Sequence, residues 1–319
     1  MPPMRLELPT GLQVGSVNAY LFTTPEPVLV DAGIKSEACW AALEAGLAAH
    51  GLSVSDLARV VITHAHIDHY GLVGRIAAAS TAEIWANELS APWLTDESQW
   101  ETRYAYYRDA FLPRVGLPPE MNTLILQGLR AMSLQRDVAP AARVHTFPVD
   151  GMLALGGLTW QSLHTPGHAS MQTIFYQSET RQLLSADMLL ATTPTPVVEG
   201  PRAGTERVPA LPQFMRSLDL VERLAVDVVY PGHGRPFQDH RAVIQRQRAR
   251  IWQRTAECLH WVTAGRRTLP ELLDKMYAHR PLATRFAGLW MLIGYLDLLI
   301  ANGQVTQRTE DGLWRYDPL

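Results

Sequence analysis

Residues Val60–Gly71 read VVITHAHIDHYG. The apolar run Val60–Ile62 has the character of a buried strand. It empties into a polar segment holding His64, His66, Asp68 and His69. Imidazole nitrogen and carboxylate oxygen are the usual protein ligands of zinc and related divalent ions. Side chains two apart on an extended segment point the same way. His64 and His66 therefore converge on one metal, while Asp68 and His69, past a turn, aim at a second. Four such groups within six residues are costly to desolvate together unless a cation holds them.

The chain supplies further ligands in one repeated arrangement, an apolar strand ending in a turn that carries the ligand. His168 follows the strand to Leu163 and the turn Thr165-Pro166-Gly167. Asp187 follows Leu183-Leu184-Ser185-Ala186, and His233 sits inside Pro231-Gly232-His233-Gly234 after Val228-Val229-Tyr230. Loops at the ends of rigid strands are where sheets present chemistry. Proline and glycine fix such turns, so the imidazole is ordered before metal arrives. Asp31 closes an earlier strand, Val28–Val30, in the same fashion. His164, next to the turn that leads to His168, reads as a packing residue at a strand end.

Working outward, strands at Asn18–Phe22 and Val28–Val30, a helix over Ser36–His50, the strand of the motif, a helix over Gly71–Ser80 and a strand at Ala82–Ala86 give an α/β rhythm. Residues 87–140 break it. They are helical in character and aromatic, with Trp93, Trp100, Tyr104, Tyr106, Tyr107 and Phe111, and read as an insertion that shapes a pocket, joins a second subunit or packs its own core. Strands resume at Val144–Phe147, Met152–Leu155, Leu158–Leu163, Gln172–Tyr176 and Gln182–Ser185. A proline-rich loop, Thr192–Pro212, precedes a helix and the strand Asp227–Tyr230. From Asp239 three helices and a terminal hairpin follow, an order that resembles a winged helix. The expected organisation is a domain over 1–240 and a small C-terminal region over 241–319.

Composition narrows the function classes. The 319 residues are 47% hydrophobic and 18% charged, which is ordinary for a soluble globular protein. A formal net charge of −3 exerts no global pull towards nucleic acid or anionic lipid. Cys39 and Cys258 are the only cysteines and stand far apart, so a disulfide framework is not expected and a cytoplasmic, reducing location fits. The apolar stretch Phe286–Ala301 is broken by Asp297 and falls short of a bilayer span of about 20 residues.

The motif His64-Ala65-His66-Ile67-Asp68-His69, followed in order by His168, Asp187 and His233, resembles the binuclear hydrolases of the metallo-β-lactamase superfamily. The resemblance covers residues 12 to about 240 and implies an αββα sandwich with metals at one edge. It implies that His64, His66 and His168 hold one ion, Asp68, His69 and His233 the other, and that Asp187 bridges them. Asp31 would orient a ligand histidine from behind. Two divalent ions, zinc by default and iron or manganese as alternatives, would share a bridging water and lower its pKa towards ~7 for attack on an electrophile. Asp68 would receive the nucleophile's proton. Tyr70 reads either as a residue lining the mouth or as an aromatic packed at the helix start, and Arg202 and Arg207 either grip a substrate carboxylate or stay solvated in the loop. The ligand set looks like that of glyoxalase II-type and lactonase-type members, which points to an ester, thioester or lactone of a small molecule. The C-terminal region resembles that of the lactamase-beta-like protein 2 group. That keeps a nucleic-acid phosphodiesterase as the alternative, with Arg241, Arg246, Arg248, Arg250 and Arg254 as its basic face. The resemblance also has departures: Ala186 stands where the family often has glycine, and Ala169-Ser170-Met171 replaces a glycine-rich run.

Overall fold

A computed structural model describes residues 2–197, 207–280 and 282–319, with the side chains of 282–284 and 286 left aside. Two mixed sheets face each other. The first has six strands in the order β1 (Met4–Leu8), β2 (Val17–Phe22), β3 (Val28–Val30), β4 (Arg59–Ile62), β5 (Glu83–Asn87) and β6 (Val144–Phe147). Its first three strands are antiparallel and β3 to β6 are parallel. The second has five, ordered β11 (Val228–Pro231), β10 (Gln182–Ala186), β9 (Thr173–Gln177), β8 (Leu158–His164) and β7 (Gly151–Leu155). Only its β10–β11 pair is parallel.

The four layers follow from residue alternation along the central strands. Val28, Val30 and Val61 point into the seam between the sheets, where they meet Phe175, Leu184 and Tyr230. Leu29, Val60 and Ile62 point the other way, onto α1 (Glu37–Ala48) and α3 (Val73–Ala79). On the second sheet Ile174, Tyr176 and Leu183 turn outward to α8 (Ala210–Glu222) and the C-terminal helices. Strands buried on both faces explain the continuous apolar runs of the sequence. The sandwich expected from the resemblance is the fold observed.

The insertion contains α4 (Ala91–Thr95), α5 (Ser98–Tyr106), a π-helical stretch at Tyr107–Phe111, α6 (Leu112–Val115) and α7 (Pro119–Ser133). After α8 come α9 (His240–Thr263), α10 (Leu269–Tyr277), α11 (Leu282–Ala301) and the hairpin β12 (Val305–Glu310) and β13 (Leu313–Pro318). These two regions share one apolar core. Tyr107 and Phe111 of the insertion pack on Trp290 of α11, and Phe111 also meets Trp314 of β13. The insertion thus leans on the C-terminal helices rather than only on itself. No helix among the described residues is long and apolar enough to cross a membrane.

Candidate metal centre

The strand ends that the sequence singles out meet along one edge of the sandwich. Asp31 follows β3 and Thr63 follows β4, and the two strands are parallel neighbours, so both chain ends emerge side by side. A one-turn helix, α2 (Ile67–Tyr70), carries Asp68 and His69. From the other sheet Thr173 donates through both its backbone N–H and its hydroxyl to the Thr63 carbonyl, each at 3.0 Å. The loop of His233 is strapped to β2. The Asn18 amide donates to the carbonyls of Pro231 at 2.8 Å and Gly234 at 2.7 Å, and the Tyr20 hydroxyl also donates to Pro231.

His64, His66, Asp68, His69, His168, Asp187 and His233 are all brought together. Ligand atoms of His64, His66 and His168 lie within 4.8 Å of one another, as do those of Asp68, His69 and His233, and those of His64, His69 and Asp187. Asp187 thus reaches towards a histidine of each triad.

The outer nitrogen of four rings is already committed. His69 Nδ1 pairs with Asp31 Oδ2 at 2.8 Å, His168 Nδ1 with the Pro196 carbonyl at 2.6 Å and His233 Nδ1 with the Ser16 carbonyl at 2.8 Å. His64 Nδ1 lies 3.0 Å from Thr63 Oγ1, which spends its own proton on Asp31. Carbonyls and carboxylates only accept, so Nδ1 carries a proton and Nε2 is left as the inward-facing, ligating atom. The Nε2 atoms of His64, His69, His168 and His233, with Asp187 Oδ1, are buried without a hydrogen-bond partner.

That arrangement fits cations. His168 Nε2 and His233 Nε2 each stand 3.4 Å from Asp187 Oδ2, and His69 Nε2 stands 3.5 Å from Oδ1. A lone pair facing a carboxylate at such a separation is repulsive unless a proton or a metal ion lies between them. Burial and neighbouring imidazoles hold His64 and His66 well below the usual histidine pKa, and burial lowers His168. These rings are neutral and ready to ligate. Burial disfavours charge on His69 and His233 too, but there the carboxylates outweigh it. Asp31, Asp187 and Asp68 raise His69, and Asp187 and Asp68 push His233 up to about 10. Burial acts against the ionised Asp68 carboxylate as well, yet His69 and His233 hold it down at about 2.

A family model for the metallo-beta-lactamase superfamily matches residues 12–233, which include every one of these groups. The chain belongs to the metallo-beta-lactamase superfamily. Among its relatives, a probable metallo-hydrolase from Bacillus subtilis is 27% identical over 311 residues, covering 96% of this chain and 94% of that protein. The atrochrysone carboxyl ACP thioesterase of Aspergillus fumigatus is 24% identical over 254 residues, 79% of this chain and 61% of the relative. Among solved structures, a metallo-beta-lactamase family protein from Thermus thermophilus superposes with a TM-score of 0.81 at 27% identity, covering 100% of this chain and 99% of that one.

Other sequence expectations at this metallo-beta-lactamase site are redrawn. Tyr70 does not line the mouth. It is fully buried, and its hydroxyl accepts from the Trp100 indole at 2.9 Å. Consecutive residues of a helix point about 100° apart, so His69 facing the metals turns Tyr70 away. Arg207 does not reach for substrate either. Its guanidinium forms a buried two-pronged pair with Asp297 of α11 at 2.6 and 2.5 Å. Arg202 lies outside the described residues. His164 donates through Nε2 to the Ser170 carbonyl at 2.7 Å, tying the turn that presents His168.

A cavity of about 220 Å³ opens above the ligands. Asp68, Asp187, His66 and His168 form its floor, and Leu12, Val14, Trp100, Leu129 and Met132 contribute apolar walls. Ala65, Ile67, Arg103 and Pro196 complete its lining. Arg103 carries no sign of this in the sequence, because nothing in a helical insertion determines which of its turns faces a cavity. Thr63 was missed as well, although its place between β4 and His64 marks it as a candidate relay.

Proposed function

We propose that this chain is a metal-dependent hydrolase of small esters, thioesters or lactones, with two divalent cations, zinc by default, at the described site. The observation that carries the reading is the inward set of buried, unpartnered Nε2 atoms around Asp187, under a small apolar cavity. His64, His66 and His168 would hold one ion, Asp68, His69 and His233 the other, with Asp187 shared. When bound, such a pair supplies a water nucleophile of lowered pKa and a Lewis acid for the substrate oxygen.

The chain's own groups do the rest. Asp31, directly and through Thr63, fixes the tautomer and tilt of His69 and His64, and the Pro196 and Ser16 carbonyls do the same for His168 and His233. Asp68 is ionised and faces the cavity, so its carboxylate is the acceptor for the proton that the nucleophile gives up and the donor that returns it to the leaving group. The apolar walls seat the acyl arm and exclude water beyond the attacking one.

Thioester cleavage is supported by the relative from Aspergillus, a thioesterase. Cleavage of a polynucleotide is the weaker reading. The helix expected to present a basic face spends much of it internally, since Arg248 pairs with Asp219 and Glu222, Arg254 with Glu257, and Arg241 with the carbonyls of Glu222 and Leu224. The mouth is a narrow apolar cavity, not a cationic groove that tracks phosphates.

The test is metal content followed by turnover of p-nitrophenyl esters, a thioester, a lactone and bis-p-nitrophenyl phosphate. Turnover confined to the phosphodiester overturns the reading. Asp187→Ala should lose metal and turnover together; full turnover in that variant removes the bridging role.

A further inference from the structure

The cavity contains one cation that no part of the metal centre explains. Arg103 of α5 lines the wall with its guanidinium carbon 5.6 Å from the Trp93 ring centre, 5.5 Å from Trp100 and 6.0 Å from Tyr107. Its Nε is buried without a hydrogen-bond partner, and among the described residues no carboxylate lies within ion-pair distance of it. Three other arginines of the insertion have carboxylate partners. Arg108 holds Asp109, Arg130 holds Glu101 and Arg136 holds Glu97.

Aromatic faces stabilise a guanidinium from above and below, but they leave its N–H edge unsatisfied. A half-buried cation with an open donor edge is costly unless an acceptor completes it. Arg103 lines a cavity whose floor is the candidate catalytic centre and whose other walls are largely apolar. We infer that Arg103 selects the substrate: it binds a carboxylate at the far end of a short apolar acyl arm whose scissile carbonyl lies at the metal floor. A carboxylate matches the planar fork in two hydrogen bonds. A single negative charge also suits a wall that offers one arginine among apolar side chains. The inference rests on the proposed hydrolase reading for the position of the scissile bond, and on Arg103 alone for the charge.

Binding separates the two. Butyrate and glutarate each carry one carboxylate able to occupy the floor, and only glutarate has a second for Arg103. Calorimetric titration of the metal-loaded protein with both, and with the α,ω-dicarboxylates from malonate to adipate, should show one chain length bound roughly tenfold or more tighter than the matching monoacid. In Arg103→Met, which keeps the apolar stem, that ratio should fall to about one, with Arg103→Lys in between because it keeps charge but not the fork. 3-Sulfopropionate and 3-phosphonopropionate test the other anions, and tighter binding of either than of every dicarboxylate overturns the choice of a carboxylate.

Hydrolysis gives the second readout. The kcat/KM ratio of the p-nitrophenyl monoester of the preferred diacid to its uncharged counterpart should follow the binding ratio through both variants, mainly through KM. A wild-type ratio near one, or a preference that survives in Arg103→Met, overturns the inference while leaving ester hydrolysis intact. Dicarboxylate binding that depends on Arg103, without turnover of any ester, thioester or lactone, sustains the anion site and overturns the hydrolase reading instead.

Discussion

The Asp31 carboxylate accepts from His69 Nδ1 at 2.8 Å and from the Thr63 hydroxyl at 2.9 Å, so one buried acid steers a histidine of each candidate metal triad. Asp31 also accepts from the Thr63 backbone N–H at 2.9 Å, and its own backbone has φ of 63°. Aspartate and asparagine tolerate that left-handed conformation better than other side chains.

Asp31→Asn should therefore fold, since the backbone demand is met and shape is kept. Its amide nitrogen, however, must face a donor at Thr63 or His69. The expected result is a loss of metal affinity of about 10–100-fold, with far smaller change in the metal-free melting temperature. Competitive metal titration against a chromophoric chelator measures it. Unaltered affinity would show that Asp31 is only a turn residue.

How far the sequence led differs by element. The ligand strand ends were legible because alternation and strand-terminal turns are local properties. So was the α/β rhythm, because strands buried on both sides must be apolar throughout, whereas the four-layer sandwich came only with the family resemblance. Asp31 was legible as an acid at a strand end, and its partner His69 follows from the parallel pairing of β3 with β4. Arg103, Tyr70 and Arg207 were not, since each depends on which way a side chain turns in the assembled molecule. An arginine's partner can lie 90 residues away, as Asp297 does from Arg207. Ala186 shows a different limit. It sits where the resemblance favours glycine, with φ of 44°, so the left-handed turn before Asp187 is kept at some cost in strain.

Gly232 abuts the shared ligand. A methyl group there would fall 2.1 Å from Asp187 Oδ1 and 3.0 Å from His69 Cε1. Its backbone φ is not positive, so alanine meets no conformational barrier. Gly232→Ala should displace the Asp187 carboxylate and reduce bound metal, seen as substoichiometric metal by mass spectrometry of the purified protein. Full metal content with normal turnover would mean that Asp187 need not stand where the structure has it.

Metal uptake should release protons. His69 lies well above the usual histidine pKa and His233 at about 10, because carboxylates outweigh the burial that opposes their charge. Both are protonated at neutral pH without metal, and ligation requires their loss. Calorimetry at pH 7 in buffers of different ionisation enthalpy should show heats that scale with the buffer. The sign for stability follows. A raised folded pKa contributes fully below the unfolded value of about 6.5 and is lost as pH climbs to about 10. The metal-free melting temperature should fall across that window, and the loaded protein should not share the fall. Buffer-independent heats would count against the assigned protonation.

Arg207 and Asp297 make a closed two-pronged pair in which the carboxylate is buried and the guanidinium largely so, and burial pushes the Asp297 carboxyl above the usual range despite its partner. Removing one side strands the other. Arg207→Leu should cost about 3–5 kcal/mol of stability, read from the denaturant midpoint, whereas Arg207→Leu combined with Asp297→Leu should recover much of it. Because Arg207 does not line the cavity above the candidate metal centre, KM for a carboxylated ester should move little in the double variant. A large rise in KM with normal stability would return Arg207 to the substrate-binding role that its place in the sequence suggested.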